Sequence, residues 1–242
     1  MQFNFSMIHI TQKMKKVDYR TYFSFVVIIF IIFLSDPLWK YLNNNINWIQ
    51  PIYEYRKLIN ILIIIFPVIL LIDKSPISTI GISISNWKKI IKATLFCSVS
   101  VLLIVFLTAI FWKQLNQLRI EGEQIYFIGQ QIPSGMISFK LLYILFLNQI
   151  LTVALPEEVI YRGYFQSRLN FTWNPQISII GSTIIFALAH YDRPLMFLHL
   201  MLMGPIYGYA FHYSKSIIPT TIAHYLSNIG GIIIIKFVVL NF

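Results

Sequence analysis

Charge is the scarcest commodity in this sequence. Only 12% of its 242 residues are Asp, Glu, Lys or Arg, against about 25% in an ordinary soluble domain. Acid is scarcer still, with 9 Asp and Glu facing 19 Lys and Arg for a formal net charge of +10. Half the usual charge excludes an ordinary soluble globular protein, and the apolar content excludes a disordered chain. Cysteine is nearly absent. Cys97 stands alone in an apolar run, so neither an internal disulfide nor a cysteine metal cluster is available. The G-x-S-x-G, H-E-x-x-H, P-loop and G-x-G-x-x-G patterns are all missing. So is the ten-residue alternation of a transmembrane β-barrel. The positive charge is scattered over polar segments, which argues against a nucleic-acid partner and for contact with anionic lipid. No cleavable signal peptide is expected, because the first apolar run is too long and lacks a small-residue cleavage site.

What is present is hydrophobic bulk, 57% of residues, with a mean hydropathy of +0.69. Continuous runs such as F-V-V-I-I-F-I-I-F-L, Phe25 to Leu34, point to helices in a bilayer. A span needs about 20 apolar residues, and seven spans use roughly 140. The expected fold is therefore all-α, a polytopic transmembrane bundle of about seven spans, with six to eight allowed. The spans fall near residues 21–42 (bent at Asp36-Pro37), 58–72, 91–112, from 137 to beyond Arg162, 176–190, 195–213 and 217–237, with kink points at Gly204-Pro205 and Gly208. Residues 113–135 read as a polar segment. Three parts result: a basic tail at 1–20, N-terminal spans and connectors at 21–136, and a helical core at 137–242. Lys13, Lys15, Lys16, Arg20, Lys74, Lys88 and Lys89 place the N-terminus in the cytoplasm by the positive-inside rule, with Lys40, Arg56 and Lys57 on the opposite side. The expected location is a prokaryotic cell membrane.

The informative residues are those hydrocarbon should reject, since a charge at mid-bilayer costs at least about 2.5–3.5 kcal/mol. The segment L-P-E-E-V-I-Y-R carries Glu157, Glu158 and Arg162 directly after an apolar stretch. Glu158 and Arg162 are four apart on one helical face, in the favourable acid-first order. Glu157 points about 100° away and lacks that partner. F-A-L-A-H puts Phe186 and His190 on one face of the fifth span, and H-Y-L-S-N does the same for His224 and Asn228 in the seventh. His9, His199 and His212 read as ordinary residues, the latter two as core histidines, although His212 could line a cavity. Three spans thus carry polar groups that satisfy one another only by converging inside the bundle. Convergent Glu, His, His and Asn can activate a water and stabilise an oxyanion. Glu157 would serve as general base and then general acid. Glu157, His190 and His224 could instead hold a divalent metal such as zinc, although Asn is a poor zinc ligand. Both chemistries stay open on the residues alone.

These segments carry a resemblance. E-E-V-I-Y-R fits E-E-x-x-x-R, F-A-L-A-H fits F-x-x-x-H, and H-Y-L-S-N fits H-x-x-x-N/D. Their order and separation resemble the CPBP intramembrane proteases (CAAX proteases and bacteriocin-processing enzymes, also called the Abi family), which include the type II CAAX prenyl endopeptidases. The resemblance covers mainly Asn148 to Ile234, and Ile77 to Lys88 is similar to the amphipathic connector of bacterial members. It implies that 137–242 is a catalytic core. It assigns Glu157 as the catalytic glutamate, Glu158 and Arg162 as its supporting pair, and His190, His224 and Asn228 as the rest of the site, with Phe186 packed against it. It implies peptide-bond hydrolysis in or beside the membrane, on a peptide or membrane-protein substrate that need not be prenylated. The alternative is a catalytically silent scaffold or a bacteriocin self-immunity protein that binds a partner. A proton-relaying transporter fits less well, because no inverted repeat is evident.

Overall fold

The computed structural model describes residues 19–53, 55–74, 76–115, 118–121, 124–127, 130–133, 149–191 and 194–241. The apolar runs form seven helices among these residues. Helix α1 is Tyr19–Asn45, and α2 covers residues 56–73 through Arg56–Asn60, Ile61–Ile65 and Val68–Asp73. Helix α3 is Trp87–Gln114, and α4 covers residues 149–172. Helices α5, α6 and α7 are Pro175–Leu188, Pro194–Ser214 and Ile218–Asn241. Their places follow the hydropathy runs, with most ends displaced by a few residues; the expected start of the fourth span, near residue 137, lies outside the described residues. Pro37 and Pro205 both lie inside their helices.

Two of these helices, α1 and α3, are long and apolar enough to cross a membrane, with mean hydropathies of 2.0 and 2.6. Their burial pattern is inverted relative to a soluble protein. Along the middle of α3 an inward row is small or slender, Ala93, Cys97, Val101, Val105 and Ala109, each four from the next, with Ile90 and Trp112 buried toward the two ends. The larger Leu95, Phe96, Leu103, Leu107 and Phe111 face outward. Small inward residues let α3 pack closely against α6 and α7, where Met203, Tyr207, Ala210 and Ala223 complete a cluster.

One small element accompanies the helices. Residues 118–133 contain an antiparallel three-stranded sheet of β1 (Leu118–Glu121), β2 (Gln124–Phe127) and β3 (Gln130–Pro133). Ile120 pairs with Ile125, and Ile125 with Ile132. The cause is visible in L-R-I-E, Q-I-Y-F and Q-Q-I-P: short segments joined by the dipeptides Gly122-Glu123 and Ile128-Gly129, a hairpin spacing.

Helix α4 is the organising element. Gln149–Ala154 and Val159–Gln166 wind in wide π-helical turns around Leu155–Glu158. Such turns are frequent at functional sites. All eight residues of Val159–Gln166 are buried. Gly163 lets the connector after α2 lie directly on α4, since a Cβ there would come within 2.8 Å of the Ile80 carbonyl oxygen. The connector turns at Ile77–Ile80 and again at Gly81, whose φ of +81° suits glycine. Ser167 donates to the Thr79 carbonyl at 2.8 Å, and the Ile217 amide donates to the Gly81 carbonyl at 3.0 Å. The connector is thereby tied to both α4 and the start of α7.

At this end of α4 lies a second buried ion pair. Arg168 donates through Nε to Asp73 Oδ2 at 2.6 Å and through Nη1 to Thr79 Oγ1 at 2.9 Å. Thr21 of α1 donates to Asp73 Oδ1 at 2.8 Å. One carboxylate thus joins α1, α2 and α4.

Candidate active site

The site grows from the Pro156-Glu157-Glu158 step. Pro156 is tolerated because it sits in the first turn of its short α-helical segment. The two glutamates that follow diverge. Glu158 is fully buried and faces α6 and α7, where Arg162 Nη1 donates to its Oε1 at 3.1 Å. Arg162 Nη2 also reaches the Gly204 carbonyl at 3.4 Å, and four residues on Gln166 Nε2 donates to the Gly208 carbonyl at 2.8 Å. Both glycines let α5 pack closely on α6. A Cβ at Gly204 would collide with Thr183, and one at Gly208 with Ile179. The guanidinium lies between two rings, 4.6 Å from the Phe186 centroid and 5.0 Å from that of Tyr207. Aromatic faces favour a desolvated cation, so Phe186 and Tyr207 lower the cost of burying Arg162.

His224 links the two glutamates. Its Nδ1 lies 2.9 Å from Glu158 Oε1, and its Nε2 lies 3.6 Å from Glu157 Oε2. A carboxylate only accepts, so the Nδ1 proton belongs to the bond with Glu158 and the ring is fixed in orientation. Tyr207 stacks on it with an interplanar angle of 22°, and the Tyr207 hydroxyl is held by Ser227 at 3.1 Å. Sequence reasoning passed over Tyr207, an apolar-looking position whose role comes from stacking across helices.

Glu157 turns the other way, into a cavity of about 460 Å³. Its walls include Glu157, His190, His224 and Asn228, together with Tyr161, Gln149 and Lys57. His190 is oriented by its own helix, with Nδ1 3.1 Å from the Phe186 carbonyl, and Phe186 meets both imidazoles edge-on. Asn228 Nδ2 donates to Gln149 Oε1 at 3.3 Å. The structure therefore brings together Glu157, Glu158, Arg162, Phe186, His190, His224 and Asn228.

Three readings of individual residues change. Glu157, expected to lack a strong partner, has one: the Lys57 ammonium bonds its Oε1. In sequence Lys57 is a charge at the edge of a span, and 100 residues of intervening chain hide the pairing. His199 is buried as expected of a core histidine, yet its Nδ1 has no hydrogen-bond partner among the described residues. His212 does not line this cavity but lies 3.3 Å from Lys215 Nζ. His9 falls outside the described residues.

The donor set does not suit a bound divalent metal. A metal on Glu157 would share that carboxylate with a full positive charge on Lys57. The Asn228 amide is directed at Gln149, and among the described residues no three His, Cys, Asp or Glu side chains are grouped as ligands.

The region matched by a known family runs from residue 139 to residue 230 and encloses every residue of the constellation. No curated protein and no solved structure matches the chain. Residues 139–230 match the family described as Type II CAAX prenyl endopeptidase Rce1-like.

Proposed function

We propose that the protein is a membrane-embedded glutamate peptidase that hydrolyses a peptide bond of a peptide or membrane-associated protein, without a metal. The observation that carries this reading is the facing pair of Glu157 Oε2 and His224 Nε2 at 3.6 Å beside a cavity of about 460 Å³. With its Nδ1 proton given to Glu158, a neutral His224 presents a lone pair at Nε2. Two acceptors at that spacing can share one water, which donates a hydrogen to each and keeps its own lone pairs for attack. Water oxygen would bond to the carbonyl carbon while Glu157 takes a proton. Collapse of the tetrahedral adduct breaks the C–N bond, and Glu157 returns the proton to the leaving amine. Glu158 and Arg162 then act through His224, holding its ring rather than touching substrate.

The rest of the chain fits a multi-pass location. The outward-facing Leu and Phe of α3 favour lipid, the basic tail favours a cytoplasmic N-terminus, and the remaining long helices complete a bundle of about seven spans. The test is cleavage by the purified protein in detergent. The substrates are a pool of quenched-fluorescent peptides, made with and without S-farnesyl cysteine. Cleavage should persist in excess 1,10-phenanthroline. Abolition by the chelator, restored by zinc, would contradict the metal-free chemistry. No cleavage of any membrane peptide or protein offered would favour a binding scaffold.

A further inference from the structure

We propose that the furrow between α3 and α6 binds an anionic phospholipid, its phosphate diester held by Lys89, Lys92, His212 and Lys215 and its acyl chains laid along the apolar stripe beyond them. The proposal goes past the peptidase reading and does not depend on it. It needs only a bilayer around α3.

The cations come from two segments that the connector draws together. Lys88, Lys89 and Lys92 lie in the first two turns of α3, and Lys215 follows α6. Ser216 donates through Oγ to the Ser83 carbonyl at 2.8 Å, and a Cβ at Gly81 would come within 3.2 Å of the Lys215 carbonyl oxygen. Lys89 Nζ stands 5.7 Å from the Tyr213 ring centroid, within cation–π reach. Lys215 Nζ lies 3.3 Å from His212 Nδ1. An ammonium only donates, so a neutral His212 keeps its proton on Nε2, a further donor for an anion. Partial burial and the Lys89 charge hold Lys215 below the ordinary lysine pKa. No acid balances the cluster. The sequence has no Asp or Glu from Lys74 to Ile120 or beyond Asp192, and Asp73 is taken by Arg168 and Thr21. Lys215 also holds a left-handed backbone, φ +56°, at a helix end where glycine is usual. What lysine adds there is its ammonium.

Charge alone would suit any polyanion, and the stripe beyond it decides for a lipid. On α3, Phe96, Val99, Leu103 and Leu107 continue the exposed face of Lys89 and Lys92 at spacings of three and four. On α6, Tyr213, Tyr209, Leu202 and Leu198 form an exposed face of the same kind. Phe96 and Tyr209 meet across the furrow with ring centroids 6.2 Å apart. From its end inward the furrow is cationic, then aromatic, then aliphatic. A phospholipid has the matching order of phosphate, glycerol esters and chains. A soluble polyanion or an acidic protein segment matches only the first.

The experiment adds phosphatidylglycerol or phosphatidylcholine of equal chain length to the full chain purified in detergent. Retained lipid is counted by native mass spectrometry, with thermal unfolding measured on the same samples. Wild type should hold phosphatidylglycerol at least about tenfold more tightly than phosphatidylcholine, and Lys89→Gln and Lys215→Gln should each weaken it about fivefold, the usual effect of one lysine near an anionic headgroup. Lys92→Gln carries the test if Lys215→Gln does not fold. Lys74→Gln is the matched control, since Lys74 is exposed and also left-handed at φ +56°, but ends α2 outside the furrow. Its affinity should stay within about twofold of wild type. Glycerophosphoglycerol, the same headgroup without chains, should not displace the lipid, and neither should hexaglutamate. Equal retention of the two lipids overturns the proposal. So does an equal loss in Lys74→Gln, which would mean a diffuse field rather than a site. Displacement by the chain-free headgroup would make this a site for free phosphate esters, and displacement by hexaglutamate a site for acidic peptides; either result overturns the lipid assignment.

Discussion

Helix α4 carries two buried arginines paired with carboxylates, one at mid-helix and one near its C-terminal end, and the two pairs differ in reach. Glu158–Arg162 is local, one turn of one helix, and both side chains are fully buried. Arg168–Asp73 spans 95 residues and joins α4 to the end of α2. The first extends its polar contacts toward chemistry, through Glu158 to His224 and through His224 to Glu157. The second extends them toward chain segments, through Asp73 to α1 and through Thr79 to the connector. A buried ion pair is weak evidence of stability by itself. Here each pair serves position: one holds a ring, the other holds the scaffold around the helix that bears it.

Breaking the local pair should do the most damage. Arg162→Leu leaves Glu158 buried with only His224 as a partner and removes the cation between Phe186 and Tyr207. A loss of about 3–5 kcal/mol is expected from stranding a buried charge, together with loss of peptidase activity. Thermal unfolding and cleavage on the same detergent sample check both, and a stable, active Arg162→Leu protein would show that His224 needs no such anchor. Arg168→Leu should come next. It strands Asp73, but Thr21 still donates to that carboxylate, so the loss should lie near the lower end of about 3–5 kcal/mol. The molecules that remain folded should cleave at nearly the wild-type rate per site, which active-site titration alongside kcat would reveal. An Arg168→Leu protein of normal stability but no activity would erase the contrast between the two pairs. Gly163→Ala, between them, should be milder. Its methyl would meet Ile80 Cγ2 at 2.5 Å and the Ile80 carbonyl oxygen at 2.8 Å. Overpacking of this kind costs about 1–3 kcal/mol. Limited proteolysis should then show faster cutting in the connector around residues 81–86.

The same contrast explains what could be read in the sequence. Glu158–Arg162, Phe186–His190 and His224–Asn228 are each four residues apart, and helical periodicity shows such pairs directly. That three such segments converge followed from the intolerance of hydrocarbon for isolated polar groups. The seven apolar runs gave the helices for the same reason. Contacts made across the bundle left no trace in spacing. Lys57 beside Glu157, Arg168 beside Asp73 and Tyr207 stacked on His224 depend on how helices pack. The sheet at residues 118–133 was hidden differently. Its strands are only four residues long, and their polarity makes them read as a loop until the glycine-containing dipeptides between them are noticed.

The account stands on the division of labour between adjacent glutamates, Glu157 as base and Glu158 as scaffold, and Glu157→Gln tests it most directly. The amide keeps the shape and the hydrogen-bonding capacity of Glu157 but cannot take a proton, so cleavage of the peptide pool should fall by about 10²–10⁴-fold. Lys57, with 29% of its side chain exposed, can turn toward water, so thermal stability should hardly change. A Glu157→Gln protein that folds normally and cleaves at the wild-type rate would contradict the account.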